Sequence, residues 1–255
     1  MTSLEVLFAP AEFAILKTRD LSQTVCVVFD ILRATTSMMT ALSQGAAGII
    51  PVSEISDALA MRRERPDVLL AGERDGLRIR AARTGTVDFD LGNSPREFTA
   101  EKVRGKTIVM TTTNGTRALQ ACLGAKTVLI GSFHNLKPLA HWIQMHRPPE
   151  LVIVCSGTYE QAALEDSLAA GSLCEKIWSF YTSGVIADSA EMARRLYPLL
   201  QKDLIGAMNH SRNGRRLLAN PELKQDVSFA LQREILNFVA DFRGGIVRPI
   251  PRSIE

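Results

Sequence analysis

Residues 107–116 read Thr107-Ile108-Val109-Met110-Thr111-Thr112-Thr113-Asn114-Gly115-Thr116. The apolar, β-branched start of this stretch predicts a buried strand, and residues 117–123 after it have the pattern of a helix. A strand that runs through hydroxyl groups and a glycine into a helix brings short donors and unpaired backbone N–H groups together. Because the start of a helix carries about half a positive charge, this junction is suited to bind an anion. The alternative is that the threonines only end the strand and that Asn114 caps the helix.

The same order of apolar strand, polar tip and helix recurs four times along the chain. The strands are predicted at residues 25–29, 67–71, 107–110 and 151–155, and their polar tips at residues 30–36, 72–76, 111–116 and 156–166. This alternation predicts an α/β fold with mostly parallel sheets flanked by helices. Ligands bind such sheets beyond the carboxyl ends of the strands. If all these strands run parallel, we expect the four tips to face the same end.

Further elements follow from the apolar pattern and from capping residues. We expect additional strands at residues 4–8, 48–52, 127–130 and 244–250, and helices at residues 38–44, 54–65, 136–145, 190–200, 211–218 and 223–241. Thr158 and Gln161 have the spacing of a capping box, which predicts the start of a long helix that ends near Tyr181. Ser94 followed by Pro95 predicts another helix start, and residues 77–91 are expected to be irregular.

Length, composition and charge exclude several classes of protein. A chain of 255 residues with 46% hydrophobic and 22% charged residues is long enough for one large domain or two small ones. The net charge of +3, without a basic tail, argues against a nucleic-acid partner. No segment approaches the roughly 18 apolar residues of a membrane helix, and the start has no secretory signal. Four widely spaced cysteines in apolar surroundings are typical of reduced thiols, so we expect a cytoplasmic protein.

The four tips together carry the groups that bind a metal ion and a phosphate. Their carboxylates are Asp30, Glu73, Glu165 and Asp166, and their arginines are Arg33, Arg74 and Arg117. Mg²⁺ is bound by one or two carboxylates together with phosphate oxygens and water. Arginine matches phosphate and carboxylate in plane and donor spacing. Phosphoryl transfer needs mainly such positioning and neutralisation of charge.

Other phosphate and hydrolase chemistries lack a required residue. There is neither a P-loop ending nor a dinucleotide-binding glycine pattern. Leu32 stands where a haloacid dehalogenase has its second aspartate, and Gln161 stands where a phosphatase loop around Cys155 needs arginine. Arg96 replaces the second glycine of a nucleophile elbow. The four histidines show no metal-ligand pairing on one helix face.

Longer runs at these tips carry a resemblance to a known family. The runs are residues 28–36, 72–74, 89–95, 111–119, 155–158, 164–166 and 170–171, together with Ser211, Gly214 and Asp226. In this order, from about residue 25 to residue 232, the sequence resembles the 2-phosphosulfolactate phosphatase family. The resemblance implies Mg²⁺-dependent hydrolysis of 2-phospho-3-sulfolactate to 3-sulfolactate and phosphate, a step toward coenzyme M. It also implies two closely associated α/β parts with the site between them, and we place these parts at residues 1–105 and 106–255.

The sequence departs from the family pattern in two places. Tyr159-Glu160-Gln161 stands where a glycine- or phenylalanine-containing segment is expected, and residues 77–87 form a variable, arginine-rich stretch. These departures concern the substrate more than the chemistry. They leave another phosphorylated 2-hydroxy acid open as the substrate.

The residue chemistry and the resemblance together predict one mechanism. We expect Asp30, Glu73 and Asp166 to be catalytic, and these three with Glu165 to supply the ligands of Mg²⁺. A water activated by the metal is the expected nucleophile, with a spare carboxylate as base, and a covalent aspartyl-phosphate on Asp30 stays open. The residues expected to bind the phosphate or the acid groups of a small phosphorylated organic acid are Arg33, Thr35, Thr36, Arg74, Asn93, Ser94, Thr111, Thr112, Thr113, Asn114, Gly115, Thr116, Arg117, Ser156, Gly157 and Thr158.

Two other classes of function are compatible with the same donors. One is a non-catalytic binding protein for small organic acid anions. The other is a sugar- or nucleotide-handling transferase, for which the sequence offers no element that reads a base or a ribose. The helical C-terminal third can pack on the sheet or on a second subunit, so a homo-oligomer is left open.

Overall fold

The computed structural model describes residues 1–251, which form one sheet with helices on its faces. The strands in these residues are β1 (Ser3–Leu7), β2 (Thr24–Phe29), β3 (Gly48–Pro51), β4 (Leu69–Arg74), β5 (Leu77–Arg78), β6 (Thr107–Thr111), β7 (Thr127–Gly131), β8 (Glu150–Cys155), β9 (Val185–Ile186), β10 (Ala240–Arg243) and β11 (Ile246–Pro249). Their order across the sheet is β5-β4-β6-β3-β11-β10-β7-β2-β8-β1-β9.

Helices connect most of the strands. They are α1 (Phe13–Leu16), α2 (Ala34–Ser43), α3 (Ile55–Glu64), α4 (Ala81–Thr84), α5 (Ala100–Val103), α6 (Gly115–Ala121), α7 (Leu136–His146), α8 (Leu164–Ile177), α9 (Asp188–Leu200), α10 (Leu204–Ala207), α11 (Arg212–Leu218) and α12 (Lys224–Ala230). Short 3₁₀ turns lie at Pro10–Glu12, Pro95–Glu97, Phe133–Asn135, Trp178–Phe180 and Gln201–Asp203. Across residues 1–251, every helix is too short or too polar to span a lipid bilayer.

The sheet consists of two wings joined by the C-terminal hairpin. We call strands β3 to β6 the small wing, and strands β1, β2 and β7 to β9 the large wing. Apart from the antiparallel edge strand β5, neighbouring strands within each wing are parallel. The hairpin of β10 and β11 lies between the wings and is antiparallel to both β7 and β3. The predicted α/β fold with mostly parallel sheets and flanking helices is therefore confirmed.

The hairpin also corrects one expectation about the strand tips. Because both of its outer pairings are antiparallel, the strands of the small wing run opposite to those of the large wing along the sheet. The tips share a strand direction only within each wing. They nevertheless meet, since Arg33 after β2 donates to the carbonyl of Gly76 after β4 at 2.6 Å.

Curling of the sheet around a shared core explains how the tips meet. One apolar cluster contains Val28 of β2 and Met110 of β6, which belong to different wings, together with Met39 of α2 and Leu119 of α6. The sheet therefore wraps around α2 and α6, and the carboxyl ends of the two wings face each other across these helices. A second cluster packs α7, α8 and α9 on the other face of the large wing, and a third packs α3 on the small wing.

Two predicted helices differ from the structure for a local reason. The helix after β8 begins at Leu164 and not at Thr158, because Thr158 and Gln161 exchange backbone hydrogen bonds of 2.8 and 3.2 Å in a tight turn. The last predicted helix ends at Ala230. After it, the N–H of Glu234 donates to the carbonyl of Phe133 at 2.9 Å, so this segment follows a neighbouring turn and does not continue the helix.

Other predicted boundaries are refined in the structure. The irregular segment of residues 77–91 contains the short elements β5 and α4, and Ser94 precedes only a 3₁₀ turn. Where one strand is predicted at residues 244–250, the structure has the two-stranded hairpin of residues 240–249. Strands from both sides of residue 105 pair within the sheet, and the division of the chain at that residue stays a prediction.

Truncation of Val247 tests the role of the hairpin in holding the wings together. Val247 of β11 is fully buried and pairs with Ile49 of β3, whereas the neighbouring Arg248 is exposed. We expect Val247→Ala to lower the free energy of unfolding by about 2 kcal/mol, since it removes buried apolar volume at the junction. Arg248→Ala is the matched control, with a change within about 0.5 kcal/mol. Urea unfolding of both variants measures the difference, and equal effects would contradict this role.

Candidate active site

A polar pocket lies where the carboxyl ends of the two wings face each other. Counted together with the solvent in its open mouth, its space amounts to about 440 Å³. Its lining comes from the tips of β2, β4, β6 and β8 and from α11. The lining residues are Asp30, Leu32, Arg33, Glu73, Asp75, Gly76, Asn93, Thr112, Thr113, Asn114, Thr158, Tyr159 and Arg216.

Asp30 is fixed at the floor of this pocket by its own loop. Its backbone N–H donates to the hydroxyl of Thr35 at 2.9 Å, and the N–H of Ala34 donates to Oδ1 at 3.0 Å. Oδ2 lies against the backbone of Gly115, where a Cβ would stand only 2.7 Å from the oxygen. A glycine at the start of α6 therefore lets that helix approach the carboxylate.

Burial shifts the pKa of Asp30 into the neutral range. Burial raises this pKa from its ordinary value of 3.8 to about 6, and the charges of Glu73 and Glu165 add to the shift. Hydrogen bonds from Ala34 and Ser156 lower the pKa and offset part of the effect. Because the resulting pKa lies close to neutrality, the Asp30 side chain is suited to exchange a proton.

Glu73 is held across the pocket by three donors. The N–H and the hydroxyl of Thr113 both donate to Oε1, at 2.8 and 2.9 Å. The N–H of Gly76 donates to Oε2 at 2.7 Å. One carboxylate thus ties the tip of β6 to the tip of its neighbour β4 and holds the small-wing side of the pocket in place.

Two side-chain amides in the lining have oxygens without a hydrogen-bond partner. Among residues 1–251, only three buried side-chain polar atoms lack a partner, and two of them are Oδ1 of Asn93 and Oδ1 of Asn114. Buried polar groups are rarely left unpaired, because each one costs the free energy of its lost hydration. Two such oxygens in one pocket leave acceptor positions that a ligand or a water molecule can complete.

Arg33 is held by the buried carboxylate of Asp226 on α12. Nη1 of Arg33 donates to Asp226 at 2.8 Å, and Nη2 donates to the carbonyl of Gly76. Asp226 is fully buried and also accepts from Ser94 at 2.6 Å and from Nε of Arg96 at 2.8 Å. This network positions the guanidinium in the pocket wall. Asp226 carries part of the family resemblance, but sequence reasoning had not placed it in the site.

Asp166 and Glu165 lie behind the pocket and do not line it. Asp166 accepts from the N–H of Ile31 at 2.8 Å and from the N–H of Gly157 at 3.1 Å, so it joins the tips of β2 and β8. Burial, and then the charges of Asp30 and Glu165, raise the pKa of Asp166 well above its usual value. Glu165 is engaged by the hydroxyl of Ser211 and by Asn213. Their predicted catalytic and metal-binding roles stay predictions.

The structure brings eight of the twenty predicted site residues into the pocket. Asp30, Arg33, Glu73, Asn93, Thr112, Thr113, Asn114 and Thr158 line it. Several other predicted donors hold the tips themselves. Thr35 donates to the carbonyl of Asp30, Thr36 to that of Ile31, Thr111 to that of Ser53 and Thr116 to that of Thr112, while Ser94 donates to Asp226 and both Ser156 and Gly157 donate to Asp166.

Two of the three predicted arginine clamps lie outside the pocket. Arg74 donates to the hydroxyl of Thr111 at 3.0 Å and to the carbonyl of Ser53 at 3.2 Å. Side chains alternate along a strand, so Arg74 points away from the side that carries Glu73. Arg117 forms an exposed ion pair with Glu160 at 3.0 Å. Of the predicted arginines, only Arg33 reaches the lining.

Five residues that line the pocket were not among the predicted site residues. These are Leu32, Asp75, Gly76, Tyr159 and Arg216. Leu32, Asp75 and Gly76 lie in the predicted tips, but their residue types did not single them out as binding residues. Arg216 lies on α11, far along the chain, and no local pattern links that helix to the tips.

The donor set of the pocket fits a hard divalent cation. Asp30 and Glu73 supply carboxylate oxygens, and Asn93 and Asn114 supply the two unpartnered amide oxygens. Mg²⁺ takes such oxygens and needs only one or two carboxylates beside phosphate and water. Within residues 1–251, no three His, Cys, Asp or Glu side chains converge as a metal-binding group. The fit to Mg²⁺ therefore depends on the amide oxygens and on the ligand.

Comparison with known proteins gives a consistent result over most of the chain. The sequence profile of the 2-phosphosulpholactate phosphatase family matches residues 13–245. A protein of Caldicellulosiruptor saccharolyticus is 37% identical over 234 residues, which cover 90% of this chain and 93% of that protein. One of Caldanaerobacter subterraneus subsp. tengcongensis is 38% identical over 234 residues, covering 90% and 92%. One of Thermotoga petrophila is 34% identical over 220 residues, covering 86% and 89%.

All three of these relatives are named probable 2-phosphosulfolactate phosphatase. Together with the fold and the site, these matches define the class of the protein as a phosphoric monoester hydrolase. The chain belongs to the 2-phosphosulpholactate phosphatase family.

Removal of the Asp226 carboxylate tests the network behind Arg33. We expect Asp226→Ala to lower the free energy of unfolding by about 3 kcal/mol or more, because it leaves a buried guanidinium without its counter-charge. Gln225→Ala is the matched control on the same helix; Gln225 is exposed, and its side chain accepts a hydrogen bond from Arg96. Guanidinium unfolding compares the two variants. A loss below 1 kcal/mol for Asp226→Ala would contradict the network.

The pKa of Asp30 predicts an unusual dependence of stability on pH. Its pKa is higher in the folded protein than in the unfolded chain, so its protonation stabilises the folded state at low pH. That stabilisation is fully present below about pH 4 and is lost as the pH rises through about 6. We expect Asp30→Asn, measured with EDTA, to gain up to about 3 kcal/mol over the wild type at pH 8 and little at pH 4. Thermal unfolding at both pH values measures the gain.

The control for this experiment is Asp67→Asn, which changes an exposed aspartate. It should leave the difference between pH 4 and pH 8 as in the wild type. If Asp30→Asn is no more stable than the wild type at pH 8, the ionised Asp30 side chain does not carry the cost assigned to it.

Proposed function

We propose that this protein is an Mg²⁺-dependent phosphatase that hydrolyses 2-phospho-3-sulfolactate, or a related phosphorylated 2-hydroxy acid, to the hydroxy acid and phosphate. The observation that carries the proposal is the pocket between the wings. It places two buried carboxylates and two unpartnered amide oxygens beside the guanidinium of Arg33. The names of the relatives support the substrate, and the family resemblance supports the place of this step in coenzyme M formation.

Mg²⁺ would be held by Asp30, Glu73 and the amide oxygens of Asn93 and Asn114. When bound, it supplies positive charge to the phosphate and makes a nearby water more acidic. The substrate carries several negative charges, and the lining supplies further donors for them. Thr112 and Asn114 lie at the start of α6, where backbone N–H groups and the helix dipole favour an anion, whereas the N–H and hydroxyl of Thr113 already donate to Glu73.

We assign the reacting carboxylate to Asp30, which lines the pocket. Its Oδ1 is held by Ala34, and its Oδ2 lies beside Gly115 at the start of α6. In the metal-free site its pKa is about 6, so the carboxylate is mostly ionised at neutral pH and able to accept a proton. In the water route, a water oxygen bonds to phosphorus, Asp30 takes the water proton, and the bond from phosphorus to the C2 oxygen breaks. The departing oxygen then takes a proton from solvent.

A covalent route uses the same oxygen as a nucleophile. In that route Oδ2 of Asp30 bonds to phosphorus, the C2 oxygen leaves, and water later hydrolyses the aspartyl-phosphate. Rapid quenching of the enzyme with substrate labelled in its phosphate separates the two routes. Labelled protein that is stable to acid would contradict the water route, and its absence throughout the first turnover would contradict the covalent route.

Release of phosphate tests the activity directly. We expect the wild type to release phosphate from 2-phospho-3-sulfolactate with Mg²⁺, and EDTA to abolish the release. Asp30→Asn and Glu73→Gln should each lower kcat by about 100-fold or more, as is typical for groups at the reacting centre. Glu160→Gln is the matched control, because Glu160 is exposed and pairs with Arg117 outside the pocket. The absence of phosphate release from a panel of phosphorylated hydroxy acids would refute the phosphatase proposal.

The second candidate function is a non-catalytic binding protein for small organic acid anions. It uses the same donors, and the hydrogen-bonded, rigid lining favours binding as much as catalysis. It requires ligand affinity in Asp30→Asn close to that of the wild type, with no phosphate released by either protein.

A cytoplasmic location completes the proposal, supported by the four buried cysteines, all of which are free thiols.

A further inference from the structure

Two guanidinium groups of the pocket meet at Gly76. Arg33 donates to the Gly76 carbonyl at 2.6 Å. Arg216 of α11 approaches the opposite side of the same residue, with its Cζ 3.5 Å from where a Cβ would stand. Gly76 has a φ of +78°, which glycine adopts without strain. Its lack of a side chain leaves room for Arg216 at the pocket wall.

The two arginines differ in how their charge is used. Arg33 is buried and its charge is matched by Asp226. Within residues 1–251, the exposed side chain of Arg216 forms neither an ion pair nor a hydrogen bond, and it lines the pocket. Its neighbours on the same helix are engaged, since Arg212 donates to Thr158 and Arg215 donates to the carbonyl of His210.

Glu73 and Asp75, the two acidic lining residues from the same tip as Gly76, are already engaged by other donors. Asp75 forms an ion pair with Arg83 at 2.6 Å, and Oε2 of Glu73 accepts the N–H of Gly76. The negative partner of Arg216 must therefore come from the ligand or from solvent.

The position of Arg216 separates it from the part of the pocket assigned to the phosphate. Oε1 of Glu73 binds Thr113, beside the start of α6, and Oε2 binds Gly76. Arg216 thus lies at the Gly76 edge of this carboxylate, and the start of α6, which is assigned to the phosphate, lies at its other edge.

We propose that Arg216 determines substrate specificity by binding a second anionic group, carried on the carbon next to the phosphorylated one. This inference rests on the proposed function and narrows its substrate class. The preferred substrates are 2-phosphorylated acids with a sulfonate or a carboxylate on C3. A guanidinium suits both groups, because its N–H donors match a pair of neighbouring acid oxygens.

Two substrates that differ only at C3 test this assignment. These are 2-phospho-3-sulfolactate and 2-phospholactate, which has a hydrogen in place of the sulfonate. The readout is the ratio of their kcat/KM values. We expect Arg216→Gln to lower this ratio by about tenfold or more, chiefly through KM for the sulfonate. Arg216→Lys should retain part of the ratio, since it keeps the charge. Arg215→Gln is the matched control on the same helix and should keep the wild-type ratio.

Binding of the product gives a readout without turnover. We expect calorimetry to show weaker binding of 3-sulfolactate to Arg216→Gln than to the wild type, with a smaller change for lactate. An unchanged kcat/KM ratio with unchanged 3-sulfolactate binding would overturn the proposal. An equal loss on both substrates would overturn it too, because Arg216 would then serve the shared phosphate or carboxylate.

The outcomes separate this inference from the proposed function. If the wild type releases phosphate from neither substrate but binds 3-sulfolactate in an Arg216-dependent way, the phosphatase proposal fails and the role of Arg216 stands. If the wild type hydrolyses both substrates with no preference for the sulfonate, the phosphatase proposal stands and the role of Arg216 is overturned. If the wild type neither hydrolyses the substrates nor binds 3-sulfolactate, both fail.

Discussion

The antiparallel pairing of the C-terminal hairpin with both wings is the constraint on which the site depends. A purely parallel sheet of this length would place the tips of β2 and β6 several strands apart along one edge, because neighbouring strands lie about 4.8 Å from each other. Here β10 and β11 reverse the strand direction between the wings, and the sheet curls around α2 and α6. The carboxyl ends of the wings therefore face each other, and the pocket forms between them.

The polar residues of the tips divide into two groups with different tasks. One group fixes the backbone: Thr35, Thr36 and Thr116 donate to carbonyls within their own tips. The other group lines the pocket, and it includes Asp30 together with Asn93 and Asn114, whose amide oxygens have no partner. The first group fixes the positions of the second, because an anion site works only when its donors and acceptors are held in place before the ligand arrives.

Charge in the pocket follows from burial as much as from residue type. Asp30, Asp166 and Glu165 lie in one buried acidic cluster, and their mutual repulsion adds to the cost of burial. Asp226, which is equally buried, is surrounded by donors from Arg33, Arg96 and Ser94. The region of the site therefore contains a cluster of carboxylates that is costly to ionise and a single carboxylate, Asp226, whose charge is balanced by its donors. Such costly buried groups are typical of functional sites, where residues needed for function make the folded protein less stable than other residues would.

The sequence by itself determined the alternation of strands and helices, because apolar runs and capping residues are local signals. It also identified Asp30, Glu73 and residues 112–114 as residues of the site, because polar residues directly after buried strands lie at the end of a sheet. Only the tertiary structure decided that the wings run in opposite directions, as the pairing of β10 and β11 involves residues more than 100 positions away from their partners. It also placed Arg216 in the pocket and Arg74 and Arg117 outside it. The direction of a long side chain depends on the strand face and on the packing of distant helices, and no local pattern encodes either.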